Sequence, residues 1–241
     1  MKNVLLVGLG EWGKVIHRSL KQIKSIKKIL IIKSRKSKKN TNLDDIEWVI
    51  ITANNQNHFK LVKKYLNLKI NVFCEKPLTL KIKDSLKLYK IARRNHCKVY
   101  VSDVENYKKI KLSIKQKNRI SRSKFSNFKK DIIYRLVYHD FTYLYKYLKS
   151  IKNIKIKIIE KEKGFLKFNL EKNGKVFSFS YNLNTRTKVH KFNNKSLISK
   201  KNVLKDMLNK VISKNVDFEK NRKISLFSEN MCLKILKLTK N

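Results

Sequence analysis

The sequence predicts an α/β protein in which a parallel sheet flanked by helices is followed by a small α+β domain with a mostly antiparallel sheet. Three observations support this fold class. A short apolar run near the N-terminus leads into a glycine-rich turn and then into a segment with helical periodicity. Strand and helix patterns alternate through roughly the first hundred residues, which is typical of βαβ units. Beyond residue 104, apolar and polar side chains alternate as in a sheet with one solvated face.

The first strand and the turn after it are the most informative stretch of the chain. Val4–Val7 is apolar at every position, which predicts a parallel strand buried on both faces. The turn has the pattern Gly-x-Gly-x-x-Gly. In a dinucleotide-binding turn, Gly8 would allow the tight turn, Gly10 the close approach of a pyrophosphate, and Gly13 the close contact of helix and strand.

The phosphates of a dinucleotide would then lie at the N-terminus of the first helix, where free N–H groups and the helix dipole favour an anion. We therefore predict a Rossmann dinucleotide-binding domain, although a plain strand–turn–helix connection could have the same spacing. The candidate cofactor-binding residues of the turn are Gly8, Leu9, Gly10, Glu11, Trp12 and Gly13.

The rest of the first domain continues as alternating helices and strands. Right-handed crossovers bring the carboxyl ends of the strands, and so a ligand crevice, to one edge of the sheet. We predict a Rossmann domain over 1–104 and an α+β domain over 105–241. The elements predicted in the first domain are helices at 12–25, 57–66 and 79–95 and strands at 29–32, 48–52, 69–73 and 98–101.

The second domain has weaker patterns. Asn173-Gly174 is the strongest hairpin-turn signal in the chain. Residues 108–130 are basic and weakly patterned, and they predict no element. The elements predicted in this domain are a buried helix at 132–148, strands at 154–158, 165–170 and 175–183, and helices at 203–212 and 224–238.

Composition favours a globular protein. The chain has 241 residues, of which 41% are hydrophobic, so it is expected to fold rather than remain disordered. No apolar run approaches the ~20 residues that span a bilayer, which argues against a membrane protein. Cys74, Cys97 and Cys232 are odd in number and lack metal-ligand spacing, so we expect reduced thiols, no metal site and a cytoplasmic location.

The net charge of +43, from 60 Lys and Arg against 17 Asp and Glu, raises the question of a polyanionic partner. The excess is mostly lysine and is spread over every predicted helix and strand rather than forming one stripe. Abundant Asn and Ile beside scarce Gly, Ala and Pro indicate codon drift in an AT-rich genome. We therefore do not predict nucleic-acid binding, and the charge would also attract anionic substrates such as phosphorylated or nucleotide-linked sugars.

The loop after the second strand is where dinucleotide-binding folds contact the adenosine ribose. A carboxylate there accepts from the 2′-hydroxyl of NAD, whereas basic residues accommodate the 2′-phosphate of NADP. The chain has Ser34, Arg35 and Lys36 in this loop and no carboxylate before Asp44. Charge and hydrogen bonds from these side chains could bind a phosphate. They are candidate cofactor-binding residues, and NADP is favoured over NAD.

The segment Asn71–Leu78 contains the only proline of the chain, Pro77, at the end of the fourth strand. A proline can adopt a cis peptide bond at a cost of only ~0.5–1 kcal/mol, and such a bond would direct Lys76 across the crevice. Beside a nicotinamide, the ammonium group of Lys76 could polarise a substrate oxygen or help to move a proton. The chain is rich in lysine, so this chemical argument alone leaves open that Lys76 has no catalytic role.

Three segments together carry a family resemblance. Residues 7–14, 51–58 and 74–78 read Val-Gly-Leu-Gly-Glu-Trp-Gly-Lys, Ile-Thr-Ala-Asn-Asn-Gln-Asn-His and Cys-Glu-Lys-Pro-Leu. In order and spacing they resemble the glucose–fructose oxidoreductase / inositol dehydrogenase / rhizopine-catabolism family (Gfo/Idh/MocA), of which Glu-Lys-Pro is the most specific mark. The resemblance covers 1–104 well and the later chain more loosely. It implies an NAD(P)-dependent oxidoreductase that transfers hydride between nicotinamide and a sugar, nucleotide-sugar or cyclitol carbinol or ketone.

The resemblance also implies roles for individual residues. Lys76 would be catalytic, with a cis bond to Pro77. The sheet face of the second domain would mediate a homodimer or homotetramer. The residues expected near the nicotinamide and its ribose are Thr52, Ala53, Asn54, His58, Glu75 and Lys76.

The second domain of such proteins usually contributes an Asp-x-x-x-His motif whose histidine carries the substrate proton. His139 fits this histidine, but Arg135 then occupies the aspartate position. A carboxylate would orient the imidazole and raise its pKa, whereas a nearby cation would lower it; Asp131 or Asp140 could substitute. Because Arg135 replaces the expected aspartate, an alternative function remains open: a cofactor-binding regulator or a degenerate homologue that does not turn over a substrate. The candidate substrate-contacting residues are Lys76, Asp103, Arg135, His139 and Asp140.

Overall fold

The computed structural model describes residues 1–33, 42–108, 111–199 and 202–239, and it contains two compact units. The first unit consists of Met1–Tyr107 and Asn202–Leu226. The second consists of Lys108–Lys201 and Phe227–Asn241. The predicted domain boundary near residue 104 lies close to Tyr107, where the N-terminal segment of the first unit ends. The segment 202–226 differs from the prediction, because it lies in the first unit and not in the second.

The helices and strands alternate in the first unit and segregate in the second. The helices of the described residues are α1 (Glu11–Leu20), α2 (Asn55–Asn67), α3 (Ile82–Arg94), α4 (Tyr138–Leu148), α5 (Val203–Ile212) and α6 (Phe218–Leu238). The strands are β1 (Lys2–Val7), β2 (Ile26–Ile32), β3 (Ile46–Ile51), β4 (Asn71–Cys74), β5 (Val99–Val101), β6 (Lys117–Ser123), β7 (Lys155–Glu162), β8 (Phe165–Lys172), β9 (Lys175–Asn182), β10 (Val189–Phe192) and β11 (Lys195–Ser196).

The first unit is built on a five-stranded parallel sheet with the strand order β2-β1-β3-β4-β5. Val7 at the end of β1 pairs with Ile32 of β2 and Ile51 of β3, and Ile51 pairs in turn with Cys74 of β4. The carboxyl ends of four neighbouring strands therefore meet at one edge of the sheet. The parallel sheet of a Rossmann-type domain predicted from the sequence is confirmed.

Side chains of β1 alternate between two apolar cores, which explains why the strand is apolar throughout. Leu5 and Val7 belong to the core that includes α2 and α3 residues. Val4 and Leu6 belong to the core that includes α1 and α5 residues. Burying one such side chain contributes about 1.5–3 kcal/mol, so both faces of this strand stabilise the unit.

Helix α5 shows why the observed division of the chain differs from the predicted one. Its Met207, Leu208 and Val211 are fully buried in the same core as Ile16 and Leu20 of α1. Sequence position suggested that this helix belongs to the second domain. Its apolar stripe instead covers the face of the first sheet that α1 leaves incomplete.

The second unit contains a six-stranded mixed sheet with the order β11-β10-β6-β9-β8-β7. Strands β6 and β9 are parallel, and the other neighbouring pairs are antiparallel. The predicted hairpin is present, since β8 and β9 are joined by Asn173 and Gly174 at φ values of 49° and 71°. Two successive positive φ angles are typical of the Asn-Gly hairpin turn.

Strand β6 lies within 108–130, where the sequence predicted no element. Ile120 is its one buried apolar residue, whereas the neighbouring inward positions hold Asn118 and Arg122. The Asn118 side chain donates to the carbonyl oxygens of Lys115 and Val176 at 2.8 and 3.3 Å. A strand with polar residues on its inner face lacks the apolar alternation from which strands are predicted.

The core of the second unit forms between its sheet and two helices, α4 within the predicted helix at 132–148 and the later part of α6. Ile133–Val137 is a π-helix that leads into α4, so the predicted single helix is divided. The Phe141 ring of α4 lies 5.7 Å from Phe179 and 6.2 Å from Phe227, measured between ring centroids. These aromatic contacts hold α4 against β9 and α6.

Cys74, Cys97 and Cys232 are buried, and none of them forms a disulfide. Across 1–33, 42–108, 111–199 and 202–239, no helix has both the length and the apolar character needed to cross a membrane.

Candidate functional site

The glycine-rich turn lies at the carboxyl end of β1, immediately before α1. Gly8 has φ +99°, in the left-handed region, and a Cβ placed on it would come within 3.0 Å of the backbone nitrogen of Ala53. A Cβ on Gly13 would lie 2.4 Å from the carbonyl oxygen of Gly8 and 2.9 Å from Oγ1 of Thr52. The fold itself therefore requires glycine at both positions.

Gly10 differs, because the packing of the described residues gives no reason for glycine there. Its φ of −67° is open to any residue, and a Cβ placed on it would meet no atom within 4 Å. The first turn of α1 closes with the bond from the nitrogen of Lys14 to the carbonyl oxygen of Gly10 at 2.9 Å. The N–H groups of residues 11–13 precede this bond and have no acceptor within the helix. Open space in front of free N–H groups at a helix N-terminus suits a phosphate.

Thr52 fixes the end of β3 against the glycine turn. Its Oγ1 donates to the carbonyl oxygen of Gly8 at 2.7 Å, and its backbone nitrogen donates to that of Val7 at 2.9 Å. Ala53 and Asn54 continue from it, and Asn54 is the extended residue that precedes α2. The predicted segment 52–54 therefore borders the turn.

Glu75 and Lys76 follow β4 at the same edge of the sheet. The Lys76–Pro77 bond is cis, as the resemblance implies. Glu75 is only 8% exposed, and its Oε1 has no hydrogen-bond partner among the described residues. A buried carboxylate oxygen without a donor is costly, so a ligand hydroxyl or amide would satisfy it.

His58 lies in the first turn of α2 and is fully buried. Its Nδ1 lies 2.7 Å from the carbonyl oxygen of Pro77, and its Nε2 lies 2.9 Å from that of Ala53. Burial lowers the pKa of His58, whereas the two carbonyl groups and the charge of Glu75 act in the opposite direction. The imidazole therefore contacts both the loop that follows β3 and the loop that follows β4.

The remaining predicted cofactor-binding residues fall into two groups. Leu9 is half-buried, and Glu11 and Trp12 are exposed at the start of α1. Ser34, Arg35 and Lys36, the candidates for a 2′-phosphate, lie outside the described residues.

Asp103, a candidate substrate contact, lies just beyond β5 and is 5% exposed. Its carboxylate accepts from the hydroxyl of Tyr100 at 2.5 Å and from Nδ2 of Asn106 at 3.3 Å. Burial raises the pKa of Asp103 to about 6, although hydrogen bonds from Tyr100 and Asn106 favour the charged form. The structure thus gives this carboxylate partners within the first unit, which the sequence did not predict.

This raised pKa predicts a pH-dependent contribution to stability. The folded chain keeps the Asp103 proton up to about pH 6, while an unfolded aspartate loses it near ~3.9. The free energy of unfolding of the wild type therefore falls as the pH rises between these values. Asp103→Asn removes this titration, so its free energy of unfolding relative to the wild type should rise by about 1 kcal/mol from pH 5 to pH 7. Urea unfolding of both proteins measures this, and a difference that stays constant with pH would contradict it.

Asp140, another candidate substrate contact, is fully buried in α4 of the second unit. Its Oδ1 accepts from Nη1 of Arg122 at 3.0 Å, and the Nε2 of His190 lies 2.9 Å from the same oxygen. Burial alone would raise the pKa of Asp140, but its interactions with His190 and Arg122, including the hydrogen bond with His190, hold it below its usual value. The carboxylate thereby ties α4 to β6 and β10.

His190 and Arg122 were not predicted as partners of this carboxylate, and neither of their strands was predicted. A signal for His190 is present, because burial alternates along Val189–Phe192 and His190 holds an inward position. Arg122 has no comparable signal, because the inner face of β6 is mostly polar.

Arg135 lies in the π-helix, and His139 lies four residues later in α4. The guanidinium carbon of Arg135 is 4.7 Å from the ring centroid of Phe128, which is a cation–π distance. Its Nε is buried and has no hydrogen-bond partner among the described residues. His139 is half-buried, and its carbonyl oxygen accepts from Oγ1 of Thr142 at 2.7 Å. Asp131, the other carboxylate considered for this motif, is exposed.

Comparison with known proteins agrees with the motifs of the first unit. Residues 2–103 match the Gfo/Idh/MocA family model, described as an oxidoreductase family with an NAD-binding Rossmann fold. The family resemblance of the three sequence segments is thereby confirmed. No curated protein matches the sequence significantly.

Solved structures match almost the whole chain. UDP-N-acetylglucosamine 3-dehydrogenase GnnA from Acidithiobacillus ferrooxidans has a TM-score of 0.78 at 11% identity, covering 96% of this chain and 95% of that one. The WlbA (WbpB) dehydrogenase from Thermus thermophilus, in complex with NAD and UDP-GlcNAcA, has a TM-score of 0.73 at 11% identity, covering 96% and 95%. A Gfo/Idh/MocA family oxidoreductase from Vibrio cholerae has a TM-score of 0.73 at 13% identity, covering 100% of both chains. At these identities the likeness establishes the fold.

Proposed function

We propose that this protein is an NAD(P)-dependent oxidoreductase that transfers hydride between a nicotinamide and the carbinol or ketone carbon of a sugar, nucleotide sugar or cyclitol. The observation that carries the proposal is Gly10. It faces open space before the free N–H groups of α1, although packing does not require glycine there. A bound pyrophosphate explains both features.

The residues at this edge of the sheet fit a nicotinamide dinucleotide. The N–H groups at the start of α1 would bind the pyrophosphate. Oε1 of Glu75, which has no hydrogen-bond partner among the residues that the structure describes, would accept from a donor on the nicotinamide half. When bound, the cofactor would supply the hydride acceptor or donor. In this arrangement Thr52, Ala53 and Asn54 would border the nicotinamide and its ribose.

Two side chains of this chain would handle the substrate oxygen and its proton. The ammonium group of Lys76 would donate to the reacting oxygen and stabilise the negative charge that develops on it. His139 of the second unit would take up or release the hydroxyl proton, with Arg135 as a further substrate contact. The buried carboxylates of Asp103 and Asp140 are held by contacts within the protein. We propose Lys76, His139 and Arg135 as the substrate-contacting residues on the basis of the family resemblance.

The substrate class is supported by the fold relatives and by charge. Two of the matching structures are a UDP-N-acetylglucosamine 3-dehydrogenase and a dehydrogenase in complex with NAD and UDP-GlcNAcA. A net charge of +43 would raise the local concentration of such an anionic substrate.

NADP is the cofactor we favour. The support is the sequence: Ser34, Arg35 and Lys36 follow β2, where dinucleotide-binding folds contact the adenosine ribose, and no carboxylate occurs between them and Asp44. We also propose that the protein is cytoplasmic and forms a homodimer or homotetramer through the sheet face of the second domain. Multi-angle light scattering measures the assembly state, and a monomer at working concentration would contradict that part.

Fluorescence of the reduced nicotinamide tests the proposed function. Titration with NADPH and NADH should show binding of both with NADPH bound more tightly, and tighter NADH binding would contradict the NADP preference. The loaded protein is then offered sugars, cyclitols, sugar phosphates and UDP-linked sugars, with absorbance at 340 nm as the measure of turnover. A protein that bound neither reduced cofactor would rule out the proposed function.

The second candidate function is a cofactor-binding regulator or degenerate homologue without turnover. Arg135 favours it, because a cation stands where the resemblance expects the carboxylate that orients His139. Its buried Nε has no hydrogen-bond partner within the part of the chain that the structure describes. Binding of NADPH without oxidation or reduction of any compound in the panel would support this function over the first.

A further inference from the structure

His58 connects the two loops that would border the nicotinamide. Its ring nitrogens lie 2.7 and 2.9 Å from the carbonyl oxygens of Pro77 and Ala53. We propose that His58 is a positioning residue, which holds these loops in the geometry that the nicotinamide half of the cofactor requires. This role rests on the proposed cofactor function. The resemblance placed His58 among the cofactor-binding residues, but a fully buried ring with both nitrogens occupied acts through the loops instead.

The two carbonyl groups lie where the regular pairing of the sheet has ended. Ile51 and Cys74 are the last paired residues of β3 and β4, and the bond from the Glu75 nitrogen to the Ile51 oxygen at 2.9 Å closes that ladder. Ala53 and Pro77 follow beyond this point. Their relative position is therefore set by contacts such as those of His58 rather than by strand pairing.

An imidazole is suited to this task because its two nitrogens point in different directions. One ring can therefore contact two carbonyl groups on separate loops. Because burial lowers the pKa of His58, the neutral ring donates to one carbonyl oxygen and packs against the other. An amide side chain places both of its donors on one nitrogen rather than at two separate positions of a ring, so asparagine or glutamine would not span the two loops in the same way.

Loops that are held in place bind a ligand without a further cost of ordering, whereas loops released by a substitution must be ordered by the ligand. The loss should fall on the nicotinamide half of the cofactor, because the ring nitrogens of His58 contact the loops after β3 and β4, whereas the pyrophosphate would bind at the start of α1. Affinity for a fragment without nicotinamide should therefore be preserved.

The test compares the full reduced cofactor with its fragment lacking nicotinamide, in the wild type and in His58→Asn. The pairs are NADPH with 2′-phospho-ADP-ribose, and NADH with ADP-ribose. We expect the dissociation constant of the reduced cofactor to rise about tenfold, and that of the fragment to change by less than about twofold. His17→Asn is the matched control, since His17 is a histidine of α1 in the same unit, and it should leave both constants unchanged.

Equal losses for cofactor and fragment would overturn the inference, because His58 would then support the fold as a whole. Unchanged constants for both would overturn it as well. If His58→Asn does not fold, His58→Gln is put through the same comparison. A wild-type protein that binds neither fragment nor cofactor would instead defeat the proposed function, and the two failures are thereby distinguished.

Discussion

Replacing Lys76 with methionine should lower kcat by about a thousandfold, within the range typical of a lost proton-transferring or charge-stabilising group. The substitution keeps most of the side-chain volume and removes the ammonium group that would bind the reacting oxygen. Affinity for NADPH should change little, because α1 and the glycine turn would bind the pyrophosphate independently of Lys76. The measurements are kcat and KM on a responsive sugar and the dissociation constant of NADPH by nicotinamide fluorescence.

A second lysine in the same region controls for the loss of one positive charge from a highly basic chain. Lys81 is exposed five residues further along, and Lys81→Met should leave kcat unchanged. If Lys76→Met retained wild-type turnover, Lys76 would have no role in the chemistry and the proposed mechanism would be wrong. If both variants lost turnover equally, the overall positive charge rather than Lys76 would be responsible.

The first unit could be predicted because each of its strands and helices is identified by a pattern within a short stretch of sequence. A parallel strand buried on both faces is apolar at every position, as Val4–Val7 is, and a helix that covers it repeats apolar residues at 3.6-residue spacing. The glycine turn could also be predicted, since Gly8 and Gly13 answer backbone requirements that are visible in the sequence spacing. Helix α5 could not be assigned correctly, because its partner α1 lies almost two hundred residues earlier.

The second unit was less predictable because its buried polar residues hide the periodic pattern. Arg122, Asp140 and His190 lie on three different elements, and only their contacts reveal why each can be buried. A buried carboxylate that pairs with an arginine and a histidine looks the same in sequence as a carboxylate that contacts substrate. Asp103 illustrates the same limit in the first unit, where its partner Tyr100 lies only three residues away.

Two alanine substitutions in the glycine turn should separate ligand binding from folding. Gly10→Ala should lower the affinity for NADPH at least about a hundredfold, because its Cβ would occupy the space that a pyrophosphate needs. Its free energy of unfolding should stay within about 0.5 kcal/mol of the wild type, since that Cβ meets no protein atom within 4 Å. NADPH titration and urea unfolding of the same preparation measure both quantities.

Gly13→Ala is the matched counterpart, because the same methyl group would lie 2.4 Å from the carbonyl oxygen of Gly8. It should destabilise the first unit by about 1–3 kcal/mol, the usual cost of overpacking, as α1 moves away from β1. Normal NADPH affinity in Gly10→Ala would mean that no phosphate lies against this residue, whatever Gly13→Ala does. Loss of stability in both variants would mean that the turn serves packing alone. The same methyl group is added in both variants, and only its surroundings differ. Loss of NADPH affinity without loss of stability in Gly10→Ala, together with loss of stability in Gly13→Ala, would therefore locate the pyrophosphate at Gly10.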